Sequence, residues 1–198
     1  MMTSRPLPTQ VSFALPDHVS AWLDDTKACY MDVRERMGLV VALSRRHVRQ
    51  KAGGPFAAAV FDHCGHLVSV GVNMVVAANC SILHAEMIAI ALAQMRVSRY
   101  DLSDGGRLEY ELYATTEPCA MCFGAIPWSG LTKVVCGARK ADAKAIGFDE
   151  GPKPSTWIEA LGERGIRVEQ DVLRDQAVSV LKEYVADSGV IYNAGGMR

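Results

Sequence analysis

No apolar run in this sequence approaches the roughly 18 residues that a bilayer-crossing helix requires. The opening stretch MMTSRPLPTQ also lacks the apolar core of a secretion signal, so a cytoplasmic protein is expected. A strong charge of either sign is missing as well: 21 Lys and Arg against 22 Asp and Glu leave a net charge of -1. No overall field draws such a chain to phosphate backbones or anionic lipid, and a charged macromolecular partner would need a local patch. Cysteine is sparse, at 29, 64, 80, 119, 122 and 136. That is too few and too scattered for the disulfide framework of a small secreted domain, and a reducing compartment fits better. Internal repeats and low-complexity tracts are absent too. What is present is ordinary: 49% hydrophobic and 22% charged residues exclude a disordered or collagen-like chain. At about 150 residues per domain, the 198 residues make a single domain over 1–198.

Residues 1–16 carry Pro6, Pro8 and Pro16 without apolar periodicity and read as an irregular arm. Helical spacing begins at Asp17, with Val19, Trp22 and Leu23 on one face, and continues over 32–50 with Val33, Met37, Val40 and Val41. A hairpin follows, with strands at 56–61 and 67–75 around the turn Asp62-His63-Cys64-Gly65. A third helix is expected over 84–97, with Met87, Ile90, Ala91 and Met95 on its apolar side, and a surface connection over 101–107. Strands at 111–115 and 133–136 flank a helix at 119–129, which makes a βαβ unit with parallel strands and a right-handed crossover. Further helices are expected at 138–145, 155–164 and 172–185, a short fifth strand near Val168, and an irregular tail over 187–198. This order predicts a three-layer α/β/α sandwich around a mixed five-stranded sheet.

The chemistry lies in His84-Ala85-Glu86 and in Pro118-Cys119-Ala120-Met121-Cys122. Two thiolates and one imidazole give zinc three protein ligands and one open position, the count of a catalytic site. Spacing i, i+3 puts both sulfurs on one helical face, and Pro118 suits a first helical turn, where amide dipoles favour thiolate. Glu86, on the first turn of its own helix, is then placed as proton carrier rather than ligand. Zinc lowers the pKa of bound water to about 7, and a carboxylate beside it can take that proton and deliver it to a ring nitrogen and a leaving amine. The reaction implied is hydrolytic removal of ammonia. Alone, the Cys119–Cys122 pair would fit a core or redox role equally well, and Cys29, Cys64, Cys80 and Cys136 read as packing or loop residues.

H-x-E…P-C-x-x-C is the known mark of zinc nucleobase deaminases, and over roughly residues 32–150 the sequence resembles the cytidine-deaminase superfamily. Gly53-Gly54-Pro55-Phe56, Gly71-Val72-Asn73, the Glu117–Ile126 run with Trp128, and Gly147-Phe148-Asp149-Glu150 are most similar to guanine deaminases. The resemblance implies a homodimer with one Zn2+ per chain, converting guanine to xanthine. It also implies that Glu150 binds the 2-amino edge and passes protons, where relatives often carry Asp. Asn73 is expected to read the base, its amide matching adjacent carbonyl and N–H groups. Phe56, Ala85, Trp128 and Phe148 are expected at the substrate, although single aromatics can equally be packing, Asp149 can cap a turn, and Glu150 can be a solvated loop charge. In guanine deaminases a C-terminal segment covers the site, in some members exchanged between protomers. Tyr192 is the corresponding lid contact here, with a frayed terminus as the alternative.

Such a pocket also admits other small amino-heterocycles, including amino-hydroxy triazines. A tRNA adenosine deaminase shares the motifs but demands a basic surface, for which only Arg45, Arg46, Arg49 and Lys51 cluster, so nucleic acid is not the expected partner. Cytosine and riboflavin-pathway deaminases are further alternatives. A zinc protein without chemistry would leave Glu86 unexplained.

Overall fold

The computed structural model describes residues 7–27 and 29–193. Within it, residues 7–16 form no helix or strand, and the remainder of the expected N-terminal arm and residues 194–198 of the tail lie outside the described residues. Helix α1 (Asp17–Leu23) leads to α2 (Val33–Arg49), whose N-cap Asp32 accepts a hydrogen bond from the Glu35 amide. Strands β1 (Ala57–Asp62) and β2 (Leu67–Val72) form the expected hairpin. Helix α3 (Ala85–Val97), β3 (Tyr110–Thr116), α4 (Ala120–Ser129) and β4 (Lys133–Ala138) follow. The chain continues through α5 (Lys140–Ala145), α6 (Trp157–Gly162), β5 (Arg167–Glu169) and α7 (Arg174–Ala186).

The sheet order is β2-β1-β3-β4-β5. Strand β1 pairs antiparallel with β2 and β3, whereas β3–β4 and β4–β5 are parallel. The mixed five-stranded sheet is therefore as expected from the run of elements. Its two faces carry separate cores. Met37, Val40, Leu43 and Val180 of α2 and α7 pack on one, and Ala85, Ala89, Ala93 and Ile126 of α3 and α4 pack on the other.

Two local expectations need correction. Strand β2 ends at Val72 rather than at 75, because the amide of Met74 turns to donate to the carbonyl of Leu83 (3.0 Å) instead of continuing the ladder. The buried apolar residues of α3 are Ala85, Ile88, Ala89, Ile90 and Ala93, so Ile90 is buried as expected, while Met95 is exposed and Met87 and Ala91 are half-buried. Close packing decides this. A methyl group added at Gly71 on β2 would lie 2.1 Å from the Ala85 carbonyl oxygen, so the crossing at Gly71 is met by the small residues Ala85 and Ala89, and Met95 turns outward.

Candidate active site

Parallel strands β3 and β4 bring the chain to one end of the sheet, where ligands of open α/β sheets commonly bind. Just beyond β3, the Glu117 amide donates to the Ala138 carbonyl (2.9 Å), and the chain enters α4. Cys119 is the N-cap of α4, with extended backbone at φ -67° and ψ 177°, and Cys122 sits in the first turn. Pro118 thus precedes the helix instead of occupying its first turn as expected. A proline fixes its own φ and leaves Cys119 free to turn the chain into the helix. His84 is likewise the N-cap of α3. Two helix N-termini therefore converge on one point, and their dipoles favour anionic sulfur there.

His84 Nδ1 lies 3.5 Å from Cys119 Sγ and 3.6 Å from Cys122 Sγ. Tetrahedral zinc with N and S ligands places donor atoms about 3.3–3.8 Å apart, so this donor set fits the ion. A hydrogen bond from Cys122 holds the Cys119 thiol well below the usual range. The same contact, with burial, pushes Cys122 up. Burial works against a charge on His84, yet its contact with Cys119 raises its pKa overall.

A cavity of about 510 Å³ opens over these ligands. Glu86 lines it from the first turn of α3 and is 8% exposed. Burial pushes its carboxyl up, and the neighbouring Cys119 sulfur adds to the effect. Glu150 also lines it, 6% exposed, and is raised to about 8 by burial and by the negative Cys119 and Glu86. It is not a solvated loop charge. Its backbone carbonyl accepts from the Ala120 amide (3.0 Å), which ties it to the start of α4. A donor set with an open coordination position, flanked by two buried carboxyls, is equipped for hydrolysis with proton transfer.

The family model for the cytidine and deoxycytidylate deaminase zinc-binding region matches residues 31–138. The chain belongs to this deaminase family. Among solved structures it is similar to a guanine deaminase from Nitrosomonas europaea, with 42% identity, a TM-score of 0.84, and coverage of 92% of this chain and 100% of the other. The guanine deaminase of Bacillus subtilis is 36% identical over 110 residues, covering 56% of this chain and 67% of that protein. A tRNA-specific adenosine deaminase from Buchnera aphidicola is 25% identical over 151 residues, covering 76% of this chain and 93% of its own length.

The remaining expected residues of the deaminase divide between the cavity and elsewhere. Asn73, 1% exposed, lines it. Its Oδ1 accepts from the Val75 amide (3.3 Å), while its Nδ2 is buried without a partner. Phe56 and Phe148 meet edge-to-face at 4.9 Å, and Tyr192 packs on Phe148 at 5.1 Å. Asn193 anchors the tail here, accepting from the Asp149 amide (3.0 Å) and donating to the Gly147 carbonyl (2.9 Å). Residues 192–193 are therefore fixed over their own chain's cavity, not frayed. Asp149 caps the local turn, accepting from the Gly151 amide (2.9 Å).

Two expectations are corrected. Trp128 is 82% exposed and does not line the cavity, because α4 turns that position to solvent. Ala85 is also outside the lining, buried against β2 by the close approach at Gly71.

Sequence reasoning missed three features of the site. Thr116 Oγ1, at the end of β3, is a second buried cavity atom without a partner. Lys153 and Glu117 form a buried ion pair beside the metal-ligand loop (3.2 Å). His47, fully buried, has Nε2 3.0 Å from the Asn73 carbonyl oxygen and Nδ1 3.2 Å from His18 Nε2, so it fixes the backbone of Asn73 from behind. The His84-Ala85-Glu86 and Cys119–Cys122 motifs carry no trace of these partners, which are distant in sequence.

Burial lowers the pKa of His47 to about 4, against the raising effect of its bond to Asn73. A His depressed on folding contributes stability that is full above its ordinary pKa near 6.5 and is lost as pH falls towards 4. Urea unfolding at a series of pH values should therefore reveal a loss on the order of 3 kcal/mol from this residue between those limits. His47→Gln should flatten that part of the profile, and an unchanged slope would contradict the assignment.

Proposed function

We propose that this deaminase hydrolyses guanine, replacing its 2-amino group by oxygen to give xanthine and ammonia. The observation that carries the reading is the buried, unpartnered Asn73 Nδ2 in a cavity that also holds Glu150. An unsatisfied buried donor costs about 1–3 kcal/mol, so the pocket is built for a ligand acceptor at that point. Guanine supplies one in its ring nitrogen and carbonyl edge. Its 2-amino group suits Glu150, which near neutral pH offers both a donor and an acceptor. The similarity to the guanine deaminases of Nitrosomonas europaea and Bacillus subtilis supports the same substrate.

His84, Cys119 and Cys122 would hold one zinc ion per chain, which supplies Lewis acidity and activates water when bound. Glu86 takes one proton from the attacking water and passes it to the ring nitrogen, then takes the proton of the added hydroxyl and passes it to the departing amine. Phe56 and Phe148 hold the ring by its faces, and Tyr192 with the tail excludes water above it. The aromatic walls do not discriminate strongly among flat rings, so small amino-heterocycles such as amino-hydroxy triazines are secondary substrates.

A homodimer is part of this reading, with exposed Trp128 of α4 and Met95 of neighbouring α3 facing a second copy. The tail contacts of Tyr192 and Asn193 favour closure within one chain, and exchange would transfer the same contacts to a partner. Light scattering tests the dimer. No helix among the described residues is long and apolar enough to cross a membrane; a cytoplasmic location and a place in purine catabolism are part of the same proposal. tRNA editing fits less well: in the basic cluster Arg45 is paired with Glu183 (3.1 Å) and Arg46 donates to the His18 carbonyl (3.1 Å).

Ammonia release from zinc-loaded protein should be seen with guanine and not with guanosine, adenine or cytosine. Asn73→Ala should reduce kcat/KM for guanine by about 100-fold, the loss of a buried polar contact to substrate. Release from tRNA adenosine but from no free base would overturn the proposal.

A further inference from the structure

The turn between β1 and β2 gathers metal-ligating side chains that take no part in the deaminase site. Asp62 ends β1, and the turn continues His63-Cys64-Gly65-His66 before β2 begins. His66 Nδ1 lies 2.8 Å from Asp62 Oδ2. A ligand atom from each of Asp62, Cys64 and His66 lies within 4.8 Å of the other two. His63 Nε2 is 3.2 Å from Cys64 Sγ, beside this cluster and not within it. An Asp–His pair alone would be an ordinary surface contact. The Cys64 thiol converging on it makes a mixed O, N, S set of the kind that binds zinc and its close relatives, and hard cations such as Mg2+ would leave the sulfur and nitrogen unused.

The backbone of this turn is held in place. Gly65 has φ +84°, and a methyl group there would lie 2.1 Å from the Tyr30 carbonyl oxygen. The Tyr30 amide donates to the Gly65 carbonyl (2.8 Å), and the His66 amide donates to Asp62 Oδ1 (2.9 Å). Cys29 pairs with His66 as an isolated bridge, and its Sγ lies 3.2 Å from the Cys64 carbonyl oxygen. Tetrahedral zinc needs donors about 3.3–3.8 Å apart, so the Asp62–His66 pair at 2.8 Å must open by about 0.5 Å, an adjustment that rotation of the exposed Cys64 and His66 side chains can supply over this fixed backbone.

We infer that the Asp62–His66 turn is a second binding site for a zinc-class divalent cation, with Asp62, Cys64 and His66 as ligands and water in the fourth position. It stands at the end of β1 remote from cavity-lining Phe56, about 20 Å away along a six-residue strand. The ion displaces the thiol proton of Cys64 and staples the two strands of the hairpin; no electron transfer is involved.

The metal-free, reduced full chain is titrated with Zn2+ against a chromophoric chelator. Two equivalents should bind the unaltered chain and one the Cys64→Ser/His66→Ala variant, whose guanine deamination is unchanged. Equal stoichiometry in the two proteins overturns the inference. In a second measurement on the unaltered chain, alkylation of Cys64 is followed by peptide mass spectrometry as zinc is added. The second equivalent should slow it by about tenfold or more, since a coordinated thiolate is withdrawn from reaction. An unchanged rate, or a Cys29–Cys64 disulfide as the only change at this turn, overturns the inference even if the variant does not fold.

Discussion

Glu86→Gln is expected to lower kcat for guanine by about 1,000-fold, the scale of removing a positioned acid–base group, while the zinc content stays at the unaltered level. Glutamine keeps the size of the side chain and cannot carry the proton. The substitution therefore separates proton transfer from metal binding, since the ligands His84, Cys119 and Cys122 are untouched. Guanine should still bind, with KM changed far less than kcat. Steady-state kinetics with metal analysis on the same preparation tests this. Full activity would remove Glu86 from the chemistry, and loss of zinc along with activity would make it a structural support of the metal site.

Lys153→Met should destabilise the protein by about 3–5 kcal/mol, because it leaves Glu117 buried without its cation. The Lys153 side chain is 2% exposed and that of Glu117 is 8%, with Nζ to Oε2 at 3.2 Å. Nζ also sits 4.1 Å from the centre of the Trp157 ring, so the cation is held from two directions. Gln170 donates to the other Glu117 oxygen, but a neutral amide cannot balance a buried charge. Glu117→Gln added to Lys153→Met should recover about half or more of the loss, since no charge is then left uncompensated. Urea unfolding of the four proteins measures the coupling. Additive losses would mean that the pair is energetically idle. Because Glu117 immediately precedes Pro118 and Cys119, the single variant should also weaken zinc binding.

The order of elements and the metal-ligand set were legible in sequence because both are local. Periodicity marks helices and strands, and His84, Glu86, Cys119 and Cys122 need only the right residue types at short spacing at two helix starts. Glu150, Asn73 and Tyr192 were reachable only through family likeness. Nothing in their immediate neighbourhood distinguishes a buried carboxyl from a solvated one.

Tertiary structure alone decided which face of α3 is buried, where β2 ends and which aromatics reach the cavity. At Gly71 the helix and sheet come so close that size, not hydrophobicity, selects alanine over methionine. Trp128 and Phe148 are both aromatics near the motifs, yet one points to solvent and the other to the cavity. The His47–Asn73 and Lys153–Glu117 contacts join residues 26 and 36 apart, and the donors at the Asp62–His66 turn converge only because of the backbone held by Tyr30. The sequence determined which residues of this deaminase make up the candidate metal site, and which carboxyl is proposed as its proton carrier. The packed fold determined which of the other polar groups were left without partners, and those groups define what the cavity can bind.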